Sequence, residues 1–377
     1  MPLPSSGTLT MAQINAEFGR GNDLNSYRGT TYYTSGGGPF TFSSGAISFS
    51  DFYGTQATGS SFAFSISSHI DRANLRSLAV AAGWNGTSPV VATLTGGYYI
   101  YSTTTEPALT IDGSWPGGVT FVNNSYVMGL GGNGGGSKPT GTANTTFSNV
   151  GQTAGGPAIS LGVSCTIQNN AYLGGGGGGG GGGSTTGANI YATAAVWGGG
   201  GGGGGTGGSQ YDAAGAVTNP GGAGGGIGAA GSNSTLGGGG GRIMPGTRAN
   251  PAVASYSGGV AQAGYGGEGG VNGSAWQALT TPTGATAGSS IVGGIGGQAG
   301  GAGYGATSVD LYGNRALAGG GGGGWGSSGG TGRGVSVNAT YGNVDVSFGG
   351  ATGGKCINLN GYTATFSATG TRYGGIS

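Results

Sequence analysis

A mainly β chain is predicted here: short N-terminal helices, a β-rich shoulder built as β-helical rungs or as a plainer strand layer, then a sandwich of polyglycine II helices with distal loops. Three observations predict it. Glycine supplies 102 of 377 residues without the strict period of collagen. It falls in tracts: ten residues at 174–183, eight at 198–205, five at 237–241 and six at 319–324. Ahead of the tracts, short runs alternate β-branched or aromatic residues with small polar ones, the period of strands.

Glycine has no side chain to bury and loses the most backbone freedom on ordering, so neither an α-helix nor an ordinary sheet explains such runs. A flexible linker is the plain reading of one run. Repeated alternation with segments rich in Tyr, Trp, Val and Ile, and few charges, argues for order instead. The ordered form is an extended helix of three residues per turn, in which a run of ten spans about 30 Å. An enclosed helix needs glycine throughout, and an outer one tolerates one larger residue in three. Tyr265, Glu268 and Val271 have that spacing, as do Thr206 with Ser209 and Ile295 with Gln298, while Ala299 and Ala302 fall out of phase. Backbone ordering costs about 1–2 kcal/mol per residue and a net hydrogen bond returns about 0.5–1.5, so only a bundle is stable. Cα–H···O contacts between close backbones add about 0.5–1 kcal/mol each.

Composition excludes several functions. With 6% charged residues and a net charge of +1, nucleic-acid binding by counterion release has no basis. Cys165 and Cys356 do not make a disulfide framework and are expected as free thiols. The segment MPLPSSGTLTM lacks the basic and apolar regions of a secretory signal, and no run is long and apolar enough to span a bilayer, so no membrane insertion is expected.

Along the chain, Thr10 to Gln13 reads as a capping box ahead of a two-turn helix with Met11, Ile14 and Phe18 on one face and Gly19 as its stop. That face docks either in its own domain or on a partner. TTYYTSGGGPFTFSSGAISFSDFYG and then Phe62, Phe64 and Ile66 read as strands. His69, the sole histidine, is expected as a surface or turn residue rather than a catalyst. A second helix is expected over 72–82, followed by strands VVATL, GGYYIYS, PALTI and GVTFV. An internal repeat places Asn123-Asn124 in register with Asn169-Asn170, each pair shortly before glycine. GGKCINLNGYTATF echoes GGPAISLG, which suggests that the C-terminal strands return to the shoulder. Three domains result: 1–55, an N-terminal attachment segment; 56–173, the shoulder; and 174–377, the glycine-rich domain.

The tracts at 174–183 and 319–325, alternating with aromatic loops, resemble the receptor-binding tail proteins of tailed phages, in particular the tail-fibre tip adhesins of T-even-type phages. GTLTMAQINAEFGRGNDLNSYRG and INLNGYTATFSATGTRYGGIS are also similar to segments of phage virion proteins. The resemblance covers about the first 50 residues and most of 174–377, and leaves 55–150 less distinctive. It implies a polyglycine II sandwich whose distal loops contact host outer-membrane proteins. The implied location is the virion, at the tail or tail-fibre tip, with other phage tail proteins and a bacterial outer-membrane protein or surface glycan as partners.

No contact residue carries over from that family, so candidates come from composition. Binding hot spots are enriched in Trp, Tyr and Arg, and loops on rigid scaffolds carry recognition. Arg248, Tyr256, Trp276, Tyr312 and Arg315 are the foremost receptor-binding candidates, with Tyr191 and Tyr211 beside them. Arg242, Trp197 and Trp325 are also loop residues, the two tryptophans lying directly against glycine and suited to packing. Tyr265 and Tyr304 belong to the slab. A structural tail or capsid component is the alternative function, and an antifreeze-type polyglycine protein a weaker one. An enzyme is not expected: Glu106 and Asp112 are ordinary strand-end carboxylates, and no catalytic residue, metal site or cofactor is assigned. Gly-Gly-Lys355 is followed by Cys356 and Ile357, not by the Ser or Thr of a phosphate loop.

Overall fold

The structure is a computed structural model, and it describes residues 2–34, 37–57, 59, 61–139, 147–186, 193–196, 200–211, 217–226, 229, 231–232, 239–242, 253–256, 259–262, 317–318, 320, 322–332 and 345–377. Strands dominate, with two α-helices among the described residues.

Residues 2–57 form a small module. Helix α1 (Met11–Phe18) carries the expected capping box: Gln13 N–H donates to Thr10 Oγ1 at 3.3 Å, and Thr10 N–H donates to Gln13 Oε1 at 2.8 Å. Gly19 ends it at φ 68°. Its apolar face docks within its own module, where Ile14 is fully buried with Tyr27, Phe42 and Phe52 and where Phe18 packs edge-on against all three rings. Thr31–Thr34 and Gly37–Thr41 pair as an antiparallel hairpin. The strand expected over SSGAISFSDFYG is a correction: Phe49–Phe52 is a 3-10 helix. Ser48 N–H donates to Asp51 Oδ2 at 2.7 Å, a local cap that outcompetes the alternating pattern.

Residues 62–128, 157–174 and 356–377 build a parallel solenoid of three sheets. Rung 1 is Phe62–Ile66, Ile70–Asp71 and Ala73–Asn74; rung 2 is Val90–Leu94, Tyr99–Tyr101 and Leu109–Ile111. Rung 3 is Val119–Asn123, Tyr126–Met128 and Ile159–Leu161; rung 4 is Cys165–Asn169, Tyr172–Gly174 and Ile357–Asn358. Ala364–Ala368 and Thr371–Tyr373 form rung 5, with Ile376 bridged to Ile357. Each strand pairs in parallel with its counterpart in the next rung, so inward residues stack in columns such as Ala92, Phe121 and Ile167. Helix α2 (Leu75–Ala81) is shorter than the 72–82 expected. Arg72 sits at φ 56° and Ala73–Asn74 is a strand, so the helix starts only after its Asn74 cap.

The asparagine repeat is a buried ladder. Asn123 and Asn169 pair in register; Asn123 Nδ2 donates to Asn169 Oδ1 at 2.8 Å, and Asn169 Nδ2 donates to Thr369 O at 3.0 Å. The amides satisfy one another and the turn backbone from rung to rung, which keeps polar groups tolerable inside the stack.

The glycine array leaves the solenoid at one corner. In rung 3 the chain departs after Met128 and returns at Ile159, and in rung 4 it departs after Gly174 and returns at Ile357. The tract after Gly174 lies at the centre of the array. Its hydrogen bonds to each neighbour recur every three residues: Gly129, Gly132 and Gly135 N–H donate to Gly174, Gly177 and Gly180 O at 2.9, 2.7 and 2.8 Å. Ala351 and Gly354 N–H donate to Gly179 and Gly176 O at 2.8 and 2.6 Å, and Gly323 and Gly320 N–H to Gly178 and Gly181 O at 2.8 and 2.9 Å. On further sides, Gly176 and Gly179 donate to Gly156 and Thr153 O, Gly178 and Gly181 to Ser327 and Gly330 O, and Gly177 to Gly202 O. So enclosed a backbone leaves no room for a side chain: a Cβ on Gly176 or Gly179 would fall onto the carbonyl of Leu130 or Asn133. In the outer tract 129–135 the larger residues are Leu130 and Asn133, three apart and half-buried between buried glycines. Thr206, exposed, and Ser209, half-buried, repeat the spacing on either side of two buried glycines. Tyr265, Glu268, Val271, Ile295, Gln298, Ala299, Ala302 and Tyr304 lie outside the described residues.

Candidate functional site

The array has two unlike ends. Leaving Gly174, the central tract runs to Gly183–Thr186, which pairs antiparallel with Thr193–Val196 and with Asp345–Ser347. Leaving Met128, the outer tract runs to Gly136–Pro139, which forms a hairpin with Phe147–Val150. Gln210–Tyr211 pairs with Val217–Asn219, and Val253–Tyr256 with Gly259–Gln262. These small sheets lie side by side, Gly136–Pro139 against Gln210–Tyr211 and Gly259–Gln262 against Thr193–Val196. The far end is therefore a cluster of short hairpins.

The near end is a set of tight turns locked to the solenoid. Trp325 is fully buried among Met128, Tyr126 and Tyr373, with ring centroids 6.1 Å from each tyrosine. Its indole lies across Gly174, where a Cβ would meet Cε3 at 2.6 Å. Arg242 is 6% exposed. Its Nε donates to Gly225 O at 3.0 Å and its Nη1 to Ser102 O at 2.7 Å, and the guanidinium lies 5.5 Å over the Tyr101 ring. Burial lowers its pKa, opposed by Tyr101 and Asp71. A charged hydrogen bond is worth about 1.5–3 kcal/mol, so Arg242→Met, which leaves both carbonyls unpaired, should cost about 3 kcal/mol. Denaturant titration of the purified chain checks this, and an unchanged midpoint would contradict it.

Arg242, counted among the loop residues, is instead an inward fastening of the array to the solenoid, and Trp325, read as suited to packing, is a second one. Of the seven receptor-binding candidates, Tyr191, Arg248, Trp276, Tyr312 and Arg315 lie outside the described residues, as does Trp197. Tyr211 and Tyr256 stand on strands of the far cluster. The hairpin of Gly136–Pro139 and Phe147–Val150 belongs to the same cluster and was not foreseen there. Its signal is the pair of glycine stretches on either side, GLGGNGGG and GQTAGG, which are short and interrupted.

His69, Asp71 and Asp112 have structural partners. His69 is exposed and accepts from Tyr99 N–H at 3.2 Å through Nδ1, and Asp71 accepts from Thr103 Oγ1 at 2.6 Å. Asp112 accepts from Asn74 Nδ2 at 2.8 Å. Cys165 and Cys356 are free and buried, and burial pushes their thiols up to about 11 and about 12. No group of three or more potential metal ligands exists among the described residues, and no described helix is long and apolar enough to cross a membrane.

The architecture is thus a solenoid base fastened to a glycine array that ends in clustered hairpins. Residues 61–236, just under half of the chain, match the family described as phage tail fibre adhesin Gp38. With that match the similarity to glycine-rich tail-fibre tip adhesins is shown, and with it a place in the virion, at the tail-fibre tip. The match includes residues 61–150, most of the stretch that looked least distinctive, and omits the first 60 residues. Among solved structures, the gp37-gp38 adhesin tip complex of the bacteriophage S16 long tail fiber is similar at 16% identity and a TM-score of 0.43, over 88% of this chain and 87% of that one. No curated protein matches the chain.

Proposed function

We propose that this adhesin recognises a bacterial cell-surface receptor, an outer-membrane protein or a surface glycan, through segments at the far end of its glycine array. The glycine tracts act as a polyglycine II sandwich, a reading supported by hydrogen bonds that recur every three residues around 174–181. The observation that carries the function is the asymmetry of the array. Its near turns are consumed by contacts with the solenoid, whereas its far end gathers hairpins from several tracts, the arrangement in which loops on a rigid scaffold recognise partners. The domain division 1–55, 56–173 and 174–377 belongs to the same proposal, with 1–55 fixing the adhesin to other phage tail proteins. Because Ile14 and Phe18 are spent inside the module, attachment falls to its outer surface, where Phe40 and Phe49 are exposed.

The purified chain should capture an outer-membrane component from host envelopes, and so should a chain lacking residues 1–20, which in turn should no longer enter particles. Absence of capture by both chains would favour the alternative, a structural virion component without receptor contact. Normal incorporation of the truncated chain would move attachment elsewhere.

A further inference from the structure

Residues 371–377 touch the array where it leaves the solenoid and where it returns. Gly175, the first residue beyond rung 4, donates its N–H to Tyr373 O at 3.0 Å. At the point of return, Cys356 and Ile357 N–H donate to Gly375 O at 2.9 and 3.3 Å, and Leu359 N–H donates to Ser377 O at 3.0 Å. The near turn at Trp325 is held as well: its ring meets Tyr373 edge-on, and the backbone of Gly326 lies against that of Gly374. The segment is itself anchored, since Thr371–Tyr373 pairs in parallel with Tyr172–Gly174 and Asn169 Nδ2 donates to Thr371 O at 3.2 Å.

An excursion of this length, tied only where it leaves and returns, would retain freedom to swing about those two points. We propose that 371–377 is a clasp: a positioning segment that fixes the glycine array on the solenoid and thereby sets the far hairpins in the geometry that binds receptor. Its effect on binding rests on the receptor reading given above; its effect on the array does not.

Two adjacent glycines supply the test. Gly374 sits at φ 100°, and a Cβ there would meet Cys356 N at 2.8 Å and the carbonyl of Gly354. Gly375 has ordinary φ, and a Cβ there meets nothing within 4 Å. Amide hydrogen exchange and binding of the full chain to host cells would be measured for Gly374→Ala, Gly374→Val and Gly375→Ala. The Gly374 variants should exchange at least tenfold faster over 175–181, keep parental exchange in Val90–Leu94 and Val119–Asn123, and bind cells at least tenfold more weakly. Gly375→Ala should match the parent throughout. Parental exchange over 175–181 in both Gly374 variants overturns the clasp. So does faster exchange in the solenoid strands as well, which would make the segment a general stabiliser. Faster array exchange with unchanged binding overturns the positioning role alone, and the receptor reading is then judged separately by variants in the far segments.

Discussion

Gly179→Val should collapse the glycine array. Gly179 donates its N–H to Thr153 O at 3.2 Å, while its carbonyl accepts from Ala351 N–H at 2.8 Å and from Gln152 Nε2 at 3.1 Å. The position where a Cβ would stand is taken by the Asn133 carbonyl. A neighbour that is backbone on a third chain segment cannot rotate away, unlike the end of a side chain. Relief therefore requires separating two tracts and breaking their hydrogen bonds, at a cost of at least about 3 kcal/mol, the upper end of overpacking effects. Thermal unfolding and protease resistance would show the loss. Gly349→Ala is the matched control, because a Cβ there meets nothing within 4 Å and its φ is not left-handed. At such a site alanine should be neutral or stabilising by about 0.4–1 kcal/mol through the unfolded chain. Equal midpoints for the two variants would mean the tracts are not packed as described.

The second large effect is expected on adsorption. Alanine at Arg248, Tyr256, Trp276, Tyr312 or Arg315 should weaken adsorption to host cells, and where the residue is a hot spot the loss should reach about 2 kcal/mol, roughly 30-fold in affinity. The same variants should unfold at the parental temperature and enter particles normally, as expected of loop residues that recognise a partner rather than build the scaffold. Tyr256, on the strand Val253–Tyr256 of the far cluster, is the one of the five whose backbone position can be related to that surface. Parental adsorption by all five variants would remove these segments from the receptor surface.

Much of the fold was legible because local chemistry and burial agreed. The Thr10–Gln13 capping box, the VVATL and GVTFV alternations and the asparagine repeat each appear where residue type and spacing placed them. Phe49–Phe52 was misread because Ser48 and Asp51 make a cap that the alternating pattern conceals. Arg242 was misread for a topological reason, whereas Trp325, read as suited to packing, does pack. A large residue beside glycine carries the same local signal at either end of a tract, and which end it occupies depends on how many times the chain has crossed the array. That parity cannot be read from composition. The rule of one larger residue in three was visible at Thr206 and Ser209, yet Leu130 and Asn133 obey it in a tract too short and interrupted to attract notice.

The most direct test of the central claim is the host range of particles in which the segments 187–192, 243–252, 271–284 and 306–316 are exchanged together for those of a related adhesin. The glycine tracts, Arg242, Trp325 and the solenoid would be kept. If these segments read the receptor, the particles should assemble at normal yield and adsorb to the donor's host instead of the original one. Normal assembly with an unchanged host range would contradict the account.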